Sequence, residues 1–448
     1  MRKIVEEKGI TLIALVITII VLLILAGITI NLTIGQDGII NMAQKAGKNY
    51  IDAEKAEQEE LDKLYAQMLG GDLPENTKEN PQDIGKIVKM PSNWETITPN
   101  YVSTTDGSIV TESTKISTVY AVSVGEGNTV PVPVGFYYVG GTLDTGVVIS
   151  DKEEDSYLKN KKDMTGHADA TKLVGNQFVW IPCSVSEYVK SNWANGSQGS
   201  ISGKSNCYWG TEVNSLEIAE IKKYGGFYVS RYEAGLPIGT TEFTGSIAYD
   251  DDEYNFSGIP QSKAGISPWN FIDWNNSQKN AQKMYETKTN VESGLITGTQ
   301  WDVMITKMAE KEGVSLTDSK EWGNYGTGEA FTYTGRAAKY DSTNNLLYAF
   351  GEQVTDKTKE NSTRYLLSTG ASDHNKAYNI YDVAGNLYEW TEESAASDSI
   401  KTLTTNRVLR GGSLSSASSS YPACFRYGSY TEEDTFYMIG FRVVLYMQ

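Results

Sequence analysis

The chain has 448 residues, which is enough for one large or two ordinary domains with a substantial core. Its 56 acidic and 39 basic residues give a formal net charge of −17, and no cluster of Lys and Arg offsets that charge locally. DNA or RNA is therefore not expected as a partner. The two histidines, His167 and His374, stand in no metal-binding motif, which argues against a histidine-based zinc or iron site.

The first element in chain order is an uncharged run from Ile10 to Ile30. As a helix it would be about 30 Å long, enough to cross the hydrocarbon layer of a membrane. Arg2, Lys3 and Lys8 precede the run and the next basic residue is Lys45, so the positive-inside rule directs the rest of the chain outside the cell. A cleaved secretory signal would have a shorter apolar region and a small-residue cleavage site. We therefore predict a single-pass cell-membrane protein with an extracellular C-terminal domain.

The start of this run also carries a family resemblance. The residues Lys8–Ile13 (KGITLI) resemble the leader junction of prepilins. The resemblance implies cleavage between Gly9 and Ile10 by a prepilin peptidase, and pilin-like subunits as partners. The sequence departs from the family at Ala14, where pilins carry a Glu that registers neighbouring subunits. The departure favours a membrane tether over a polymerising subunit.

Composition changes divide the chain further. Apolar residues at three- and four-residue steps predict a stalk helix that ends at Gly70-Gly71, and a polar, Pro-containing stretch follows. Beyond it, short apolar-aromatic runs bounded by Gly or Pro alternate with two helical stretches, Asn275–Glu286 and Gln300–Lys311, which is typical of an α+β fold. The predicted organisation is a leader at 1–9, an anchor helix at 10–34, a stalk at 35–71, a linker with short strands at 72–130, and a domain at 131–448.

The three cysteines form no C-x-x-C motif. Either Cys183 and Cys207 form a disulfide in an oxidising environment, or they and Cys424 are all free thiols.

Five ordered motifs stand out in the C-terminal domain. They are Phe227–Glu233, Gly294–Asp302, Tyr381–Thr391, Arg407–Ser413 and Gly440–Val444. The third reads YDVAGNLYEWT and resembles the D-x-x-G-N-x-x-E-W signature of the formylglycine-generating enzyme (sulfatase-modifying factor) family. The resemblance implies a C-type-lectin-like fold for 131–448. It also implies that Trp180, Trp301 and Trp390 belong to the core.

The resemblance also bears on catalysis. Oxidising members of the family bind copper through two cysteines after the R-G-G-S motif, and the corresponding positions here are Ser416 and Tyr421. A hydroxyl does not replace a thiolate as a ligand of Cu(I). Other relatives build an iron site from histidines, which two isolated histidines cannot supply. The sequence therefore predicts a catalytically inactive member without copper or iron.

A structural calcium ion is one of two interpretations of the signature motif. Asn386, Glu389 and a backbone carbonyl near Leu387 match positions that bind calcium in the family, and hard oxygen ligands suit Ca²⁺. Alternatively, Asn386 and Glu389 satisfy loop amides and Arg410.

The segment between the last two motifs is dominated by Ser and Tyr. It resembles the variable region of receptors that are diversified by retroelements. Most residues from Leu414 to Tyr437 belong to the set that adenine randomisation produces, whereas Glu432, Glu433 and Met438 would be constant scaffold. Tyr and Ser are also the residues that suit versatile binding surfaces. The alternative is an ordinary Ser/Tyr-rich loop.

These features together predict a surface-displayed protein that binds an extracellular protein or glycan through its C-terminal domain. The predicted contact residues are Ser415, Ser416, Ser418, Ser420, Tyr421, Phe425, Tyr427, Tyr430, Phe436 and Tyr437. Two alternatives stay open at this point: an enzyme of the same family with different chemistry, and a minor pilin.

Overall fold

The computed structural model describes residues 84–94, 96–103, 109–116, 118–190, 208–209, 215–397 and 402–448. All of them belong to a unit that spans Glu79–Gln448. The predicted leader junction at Gly9 and Ile10, the anchor, the stalk and Cys207 lie outside the described residues. Among those residues, no helix has the length and apolar character needed to cross a membrane.

The secondary structure of the described residues is mostly short strands. The strands are β1 (Ile87–Val88), β2 (Thr96–Ser103), β3 (Ile109–Ile116), β4 (Val119–Gly125), β5 (Asn128–Pro133), β6 (Tyr137–Gly140), β7 (Val147–Ser150), β8 (Gln177–Pro182), β9 (Tyr208–Trp209), β10 (Gly226–Ser230), β11 (Ser246–Ala248), β12 (Val291–Leu295), β13 (Phe331–Gly335), β14 (Ala337–Asp341), β15 (Leu346–Tyr348), β16 (Val354–Lys359), β17 (Tyr365–Leu367), β18 (Lys376–Ala377), β19 (Ile380–Tyr381), β20 (Tyr388–Ser397), β21 (Thr402–Arg410), β22 (Arg426–Thr431), β23 (Ile439–Phe441) and β24 (Val443–Met447). The α-helices are α1 (Tyr157–Asn160), α2 (His167–Ala170), α3 (Ser215–Tyr224), α4 (Trp274–Lys283) and α5 (Gly298–Glu312), and short 3₁₀ turns lie at Ser92–Trp94, Glu153–Asp155 and Asp373–Asn375.

A six-stranded antiparallel sheet with the order β12-β24-β10-β8-β7-β6 lies at the centre. Side chains alternate between its two faces, as the pleat of a strand requires. In β8, Phe178 and Trp180 pack in one core cluster, whereas Val179 and Ile181 pack in the other. Both faces are therefore buried, which explains why these strands read as nearly continuous apolar runs. The predicted family strand at Phe227–Glu233 is β10, at the middle of this sheet.

A second sheet carries the C-terminal motifs. It has the order β22-β21-β20-β23, with β9 also paired to β20. The β20–β23 pair is parallel and the others are antiparallel. Its register sets Glu389 opposite Arg410 and Arg410 opposite Arg426. Three motifs that are distant in sequence therefore meet side by side.

The predicted helices and core tryptophans are confirmed. The stretch Asn275–Glu286 corresponds to α4, whose N-cap Asp273 accepts a hydrogen bond from the backbone N–H of Asn276. The stretch Gln300–Lys311 lies within α5, which begins with a capping box between Thr297 and Gln300. Trp180, Trp301 and Trp390 are all buried.

The stretch 72–130, which is predicted to be a linker with short strands, ends in a hairpin. β4 lies within this stretch and pairs with β5, which extends to Pro133. Val122, Val130 and Val132 are buried in the same core cluster as Tyr228 of the central sheet. The alternating apolar side chains of this hairpin supply part of the core, so the domain begins before residue 131.

Three carboxyl groups are buried around one guanidinium group below the signature motif. Arg442 forms an ion pair with Glu389, with an N–O distance of 2.6 Å. Glu233 accepts hydrogen bonds from the side-chain amide of Asn386 and the backbone N–H of Leu387, and Asp382 accepts one from the N–H of Gly370. Burial raises the pKa of Glu233 well above its usual value and that of Asp382 to about 7. One arginine does not offset three buried charges, so the protonated form of Asp382 is favoured.

This arrangement predicts that stability falls as pH rises. The unfolded carboxyl of Asp382 titrates near pH 4 and the folded one near pH 7, so the folded state binds the extra proton between these values. The free energy of unfolding should decrease as the pH rises through that window. Because an amide cannot ionise, Asp382→Asn should reduce this decrease by roughly 2 to 4 kcal/mol. Urea unfolding of both proteins from pH 4 to pH 8 measures the slopes, and identical slopes would contradict the assignment.

Candidate functional site

A cluster of buried charges lies beneath the Ser/Tyr-rich segment. We call it the arginine cluster, and its members are Lys190, Asp302, Glu393, Arg410 and Arg426. One carboxylate oxygen of Asp302 binds Arg410 at 2.7 Å and the other binds Arg426. Glu393 binds Nε of Arg426 at 3.1 Å and also pairs with Lys190. The two arginine side chains and the two carboxylates are almost completely excluded from solvent.

Charge pairing outweighs desolvation at Arg426 in this cluster. Burial disfavours its charged form, but Glu393 and Asp302 together raise the pKa of Arg426 above its usual value. Arg410 and Arg426 are paired on the adjacent strands β21 and β22. Burial together with that like charge lowers the pKa of Arg410. An arginine stays charged in proteins, so both guanidinium groups depend on the shared carboxylate of Asp302.

The arginine cluster fixes the backbone at the middle of the segment. Arg410 donates from Nε to the carbonyl of Phe425 at 3.0 Å and from Nη2 to that of Cys424 at 3.3 Å. The indole N–H of Trp301 donates to the carbonyl of Ala423 at 3.0 Å. Three consecutive carbonyls in an irregular stretch are thus bound by side chains of the framework.

A glycine pair shapes the beginning of the segment. Gly411 and Gly412 have φ values of +89° and +75°, a region that other residues rarely adopt. A Cβ on Gly412 would lie 2.2 Å from the carbonyl oxygen of Tyr421, so the chain could not return this closely past a larger residue. The glycine pair of the R-G-G-S motif therefore has a structural role here.

The two positions that correspond to the family's cysteines lie on either side of Tyr388. Ser416 Oγ and the Tyr388 hydroxyl are 3.1 Å apart, and the rings of Tyr388 and Tyr421 contact each other edge to face with centroids 6.3 Å apart. Cys424 is nearby in sequence but is a fully buried free thiol, and burial raises its pKa. A buried protonated thiol is a poor nucleophile and metal ligand. Cys183 is also a buried free thiol.

A continuous row of aromatic rings runs along the Ser/Tyr-rich segment. We call it the aromatic row, and its members in order of contact are Tyr421, Phe425, Tyr427, Tyr430, Phe436 and Tyr249. The ring centroids of neighbours along the row are 4.8 to 6.0 Å apart. Tyr388 stacks on Tyr427 from below, at 6.0 Å. Aromatic pairs in such geometries contribute about 0.5–1.5 kcal/mol each beyond their buried area, so the rings hold one another in place.

The predicted contact residues separate into two groups by burial. Four are buried and cannot be reached by a ligand in this structure: Ser416, Ser418, Phe425 and Tyr437. Six are exposed or half-buried: Ser415, Ser420, Tyr421, Tyr427, Tyr430 and Phe436. The buried residues support the others. Tyr437 stacks on Tyr340 at 4.1 Å and Phe425 lies between Tyr421 and Tyr427.

Sequence reasoning missed Tyr249. This residue lies 165 positions before the start of the segment at Leu414 and is 37% exposed. Its ring nevertheless stacks on Phe436, and its carbonyl accepts a hydrogen bond from the backbone N–H of Tyr437. Its position within the acidic-aromatic stretch YDDDEY was the available signal.

The residues of the implied calcium site are occupied by protein donors. Both oxygens of Glu389 bind Arg442, not Arg410 as the alternative interpretation supposed. The side-chain oxygen of Asn386 accepts hydrogen bonds from Asn324 and from the backbone N–H of Leu367. The backbone carbonyl of Asn386, next to Leu387, accepts a hydrogen bond from the N–H of Leu414 at 2.9 Å. These groups do not fit a calcium site in this arrangement, because a cation would have to displace Arg442 and several N–H groups.

The two histidines are not isolated from each other. Both line a cavity of about 360 Å³ between β13, β16 and the turn at 371–374. The ring of His374 stacks on Phe331 at 4.3 Å, and burial lowers the pKa of His374. Both ring nitrogens of His167 lack a hydrogen-bond partner within the described residues. No group of three or more His, Cys, Asp or Glu side chains that could hold a metal ion occurs in the described part of the chain.

Comparison with known proteins agrees with the motifs. Residues 241–447 match the profile of the sulfatase-modifying factor enzyme 1-like domain. This region is a domain of that type. The solved structure of Treponema denticola variable protein 1 is similar to this chain, with 14% sequence identity and a TM-score of 0.30, over 61% of this chain and 96% of that one. No curated protein matches the chain. The sulfatase-modifying-factor domain contains the whole aromatic row and all members of the arginine cluster except Lys190.

Removal of the shared carboxylate tests the arginine cluster. Asp302→Ala leaves two buried guanidinium groups with Glu393 as their one remaining shared carboxylate and should lower the free energy of unfolding by about 3–5 kcal/mol. Asp302→Asn, which keeps one acceptor oxygen, should be affected less. Glu310→Gln on the same helix is the control, because its exposed ion pair with Lys307 should change stability by less than about 0.5 kcal/mol. Equal stabilities of Asp302→Ala and Glu310→Gln in chemical unfolding would contradict the role of the cluster.

Proposed function

We propose that the C-terminal domain is a C-type-lectin-like binding domain without catalytic activity, and that the aromatic row is its ligand-contact face. The observation that carries this proposal is the continuous row of rings above a buried ionic framework, in which every ring except that of Phe425 is partly exposed. Buried aromatic residues need no functional explanation, but a connected row at the surface is typical of a recognition site.

The aromatic row has the physical properties of a contact surface. Tyr side chains bury a large area on binding and have few rotatable bonds, so their immobilisation costs little conformational entropy. Here the rings are already held by one another and by Tyr388. The exposed hydroxyl of Ser420 and the half-buried hydroxyl of Ser415 add adaptable hydrogen-bonding groups at the edge. Burial raises the pKa of Tyr430, so its hydroxyl is uncharged at physiological pH.

The absence of catalysis is supported by the positions of the family's two cysteines. Ser416 is buried with its hydroxyl among Ser413 and Tyr388, and Tyr421 belongs to the aromatic row. Cys424 is enclosed and protonated. The described residues therefore bring no reactive thiolate to this surface, and the same surface is available for binding.

We also propose that the segment is diversified and displayed outside the cell. The segment contains exposed positions, such as Ser420 and Ser429, and also the buried Arg426. Variation confined to the exposed positions would leave the buried framework unchanged, and this supports diversification. Display is supported by the sequence of Ile10–Ile30 and the prepilin-like junction before it.

Binding arrays test the contact face. The full-length wild-type chain, applied to arrays of glycans and extracellular proteins, should bind a restricted set of them. The double variant Tyr427→Ala/Tyr430→Ala removes two central rings and should weaken that binding by about tenfold or more, as expected for aromatic residues at the centre of an interface.

The control replaces a half-buried tyrosine on the outer strand of the central sheet. Tyr137→Ala should bind the same array members as the wild type. Circular dichroism and thermal unfolding establish that all three proteins are folded. Unchanged binding by the double variant, or equal losses in the double variant and in Tyr137→Ala, would overturn the proposed contact face.

A further inference from the structure

Two acidic runs flank the aromatic row at its Phe436 end. One is Asp250–Glu253, directly after Tyr249, and the other is Glu432–Asp434, which is separated from Phe436 by one residue. Together they contribute seven carboxylates. Neither the stretch 246–257 nor the stretch 427–438 contains a Lys or Arg. The negative charge therefore lies beside the rings and is not balanced within either stretch.

Backbone contacts hold the two runs beside each other. The N–H of Tyr437 donates to the carbonyl of Tyr249 at 2.9 Å, and the N–H of Phe271 donates to the carbonyl of Phe436 at 3.2 Å. The rings of Tyr249 and Phe436 stack with centroids 6.0 Å apart. The acidic runs and the end of the aromatic row thus form one surface.

Only some of these carboxylates form ion pairs or hydrogen bonds within the domain. Glu432 forms an ion pair with Arg407 at 3.2 Å, and Asp434 accepts hydrogen bonds from the N–H and hydroxyl of Thr431. The carboxylate of Asp251 accepts a hydrogen bond from the N–H of Glu253. Four carboxylates remain that are exposed and form no ion pair with the described residues: Asp250, Asp252, Glu253 and Glu433.

One arginine of the domain is already bound in the way that such a surface would bind an arginine of a partner. The guanidinium group of Arg407 lies 3.7 Å from the centroid of the Trp274 ring while it pairs with Glu432. A planar cation is thus held between an aromatic face and a carboxylate of the second acidic run. The negative face of an aromatic ring attracts cations, and arginine is the side chain that combines stacking with carboxylate pairing.

We propose that the acidic end of the aromatic row binds a protein partner through Arg or Lys side chains on a basic surface of that partner. The inference rests on the proposed contact face and specifies the class of its ligand. Charge complementarity would speed association and select against acidic partners, and the aromatic rings would supply most of the affinity. Neutral glycans lack the charge that this end of the surface complements.

Calorimetry with synthetic peptides tests the charge requirement. The probe is a Gly/Ser peptide that carries several arginines, titrated into the full-length chain. The matched peptide contains citrulline, which has nearly the shape of arginine but no charge. The wild-type chain should bind the arginine peptide at least about tenfold more tightly than the citrulline peptide, and this preference should decrease as added salt shortens the Debye length below ~8 Å.

Two sets of isosteric substitutions test whether the preference for the arginine peptide depends on the carboxylates of this surface. The test variant neutralises the free carboxylates by Asp250→Asn, Asp252→Asn, Glu253→Gln and Glu433→Gln. The control variant makes the same change in net charge at exposed sites elsewhere, by Glu286→Gln, Glu292→Gln, Glu321→Gln and Glu352→Gln. The test variant should lose the preference for arginine, and the control variant should retain it.

Several results would overturn the inference. They are no binding of the arginine peptide, equal binding of the two peptides by the wild type, and equal effects of the two variants. If any of these occurs while Tyr427→Ala/Tyr430→Ala still weakens binding on the arrays, the contact face stands and only its cationic ligand is rejected. If array binding is unchanged in that double variant, the contact face itself is rejected.

Discussion

The shared carboxylate of Asp302 is the interaction on which the proposed contact face depends. It binds Arg410 of β21 through one oxygen and Arg426 of β22 through the other, and both guanidinium groups are excluded from water. Removal of one partner would leave a buried charge uncompensated, which is far less favourable than loss of an exposed pair. The helix that carries Asp302 and the two strands are thus joined by groups that tolerate little displacement.

This interaction is buried beneath the segment, whereas the rings of the proposed contact face lie above it. Arg410 also binds the carbonyls of Cys424 and Phe425, and Trp301 binds that of Ala423, so the backbone of the segment is fixed from below. The exposed rings contribute nothing to these hydrogen bonds. We therefore expect that side chains above the cluster can differ in shape without displacing this backbone, as the proposed diversification requires.

Much of the framework could be predicted from the sequence because its motifs are local. The capping box of Thr297 and Gln300, the continuous apolar run of β8 and the glycine pair at 411–412 are each encoded within a few residues. The burial of Ser416 and Phe425 was not predictable, because it depends on the path of the chain past Tyr388. The contribution of Tyr249 depends likewise on a contact between distant segments. The partner of Glu389 was missed for a similar reason, since Arg410 in β21 and Arg442 directly after β23 lie on opposite sides of β20, which carries Glu389.

Protease resistance of two libraries of the full-length chain tests most directly whether the framework folds independently of the surface. In one library Ser420, Tyr427 and Tyr430 are randomised, and in the other Asp302, Arg410 and Arg426 are. The account predicts that most members of the first library stay resistant at the wild-type level, whereas nearly all members of the second are degraded. Equal losses of resistance in the two libraries would contradict it, because the recognition surface would then be part of the framework.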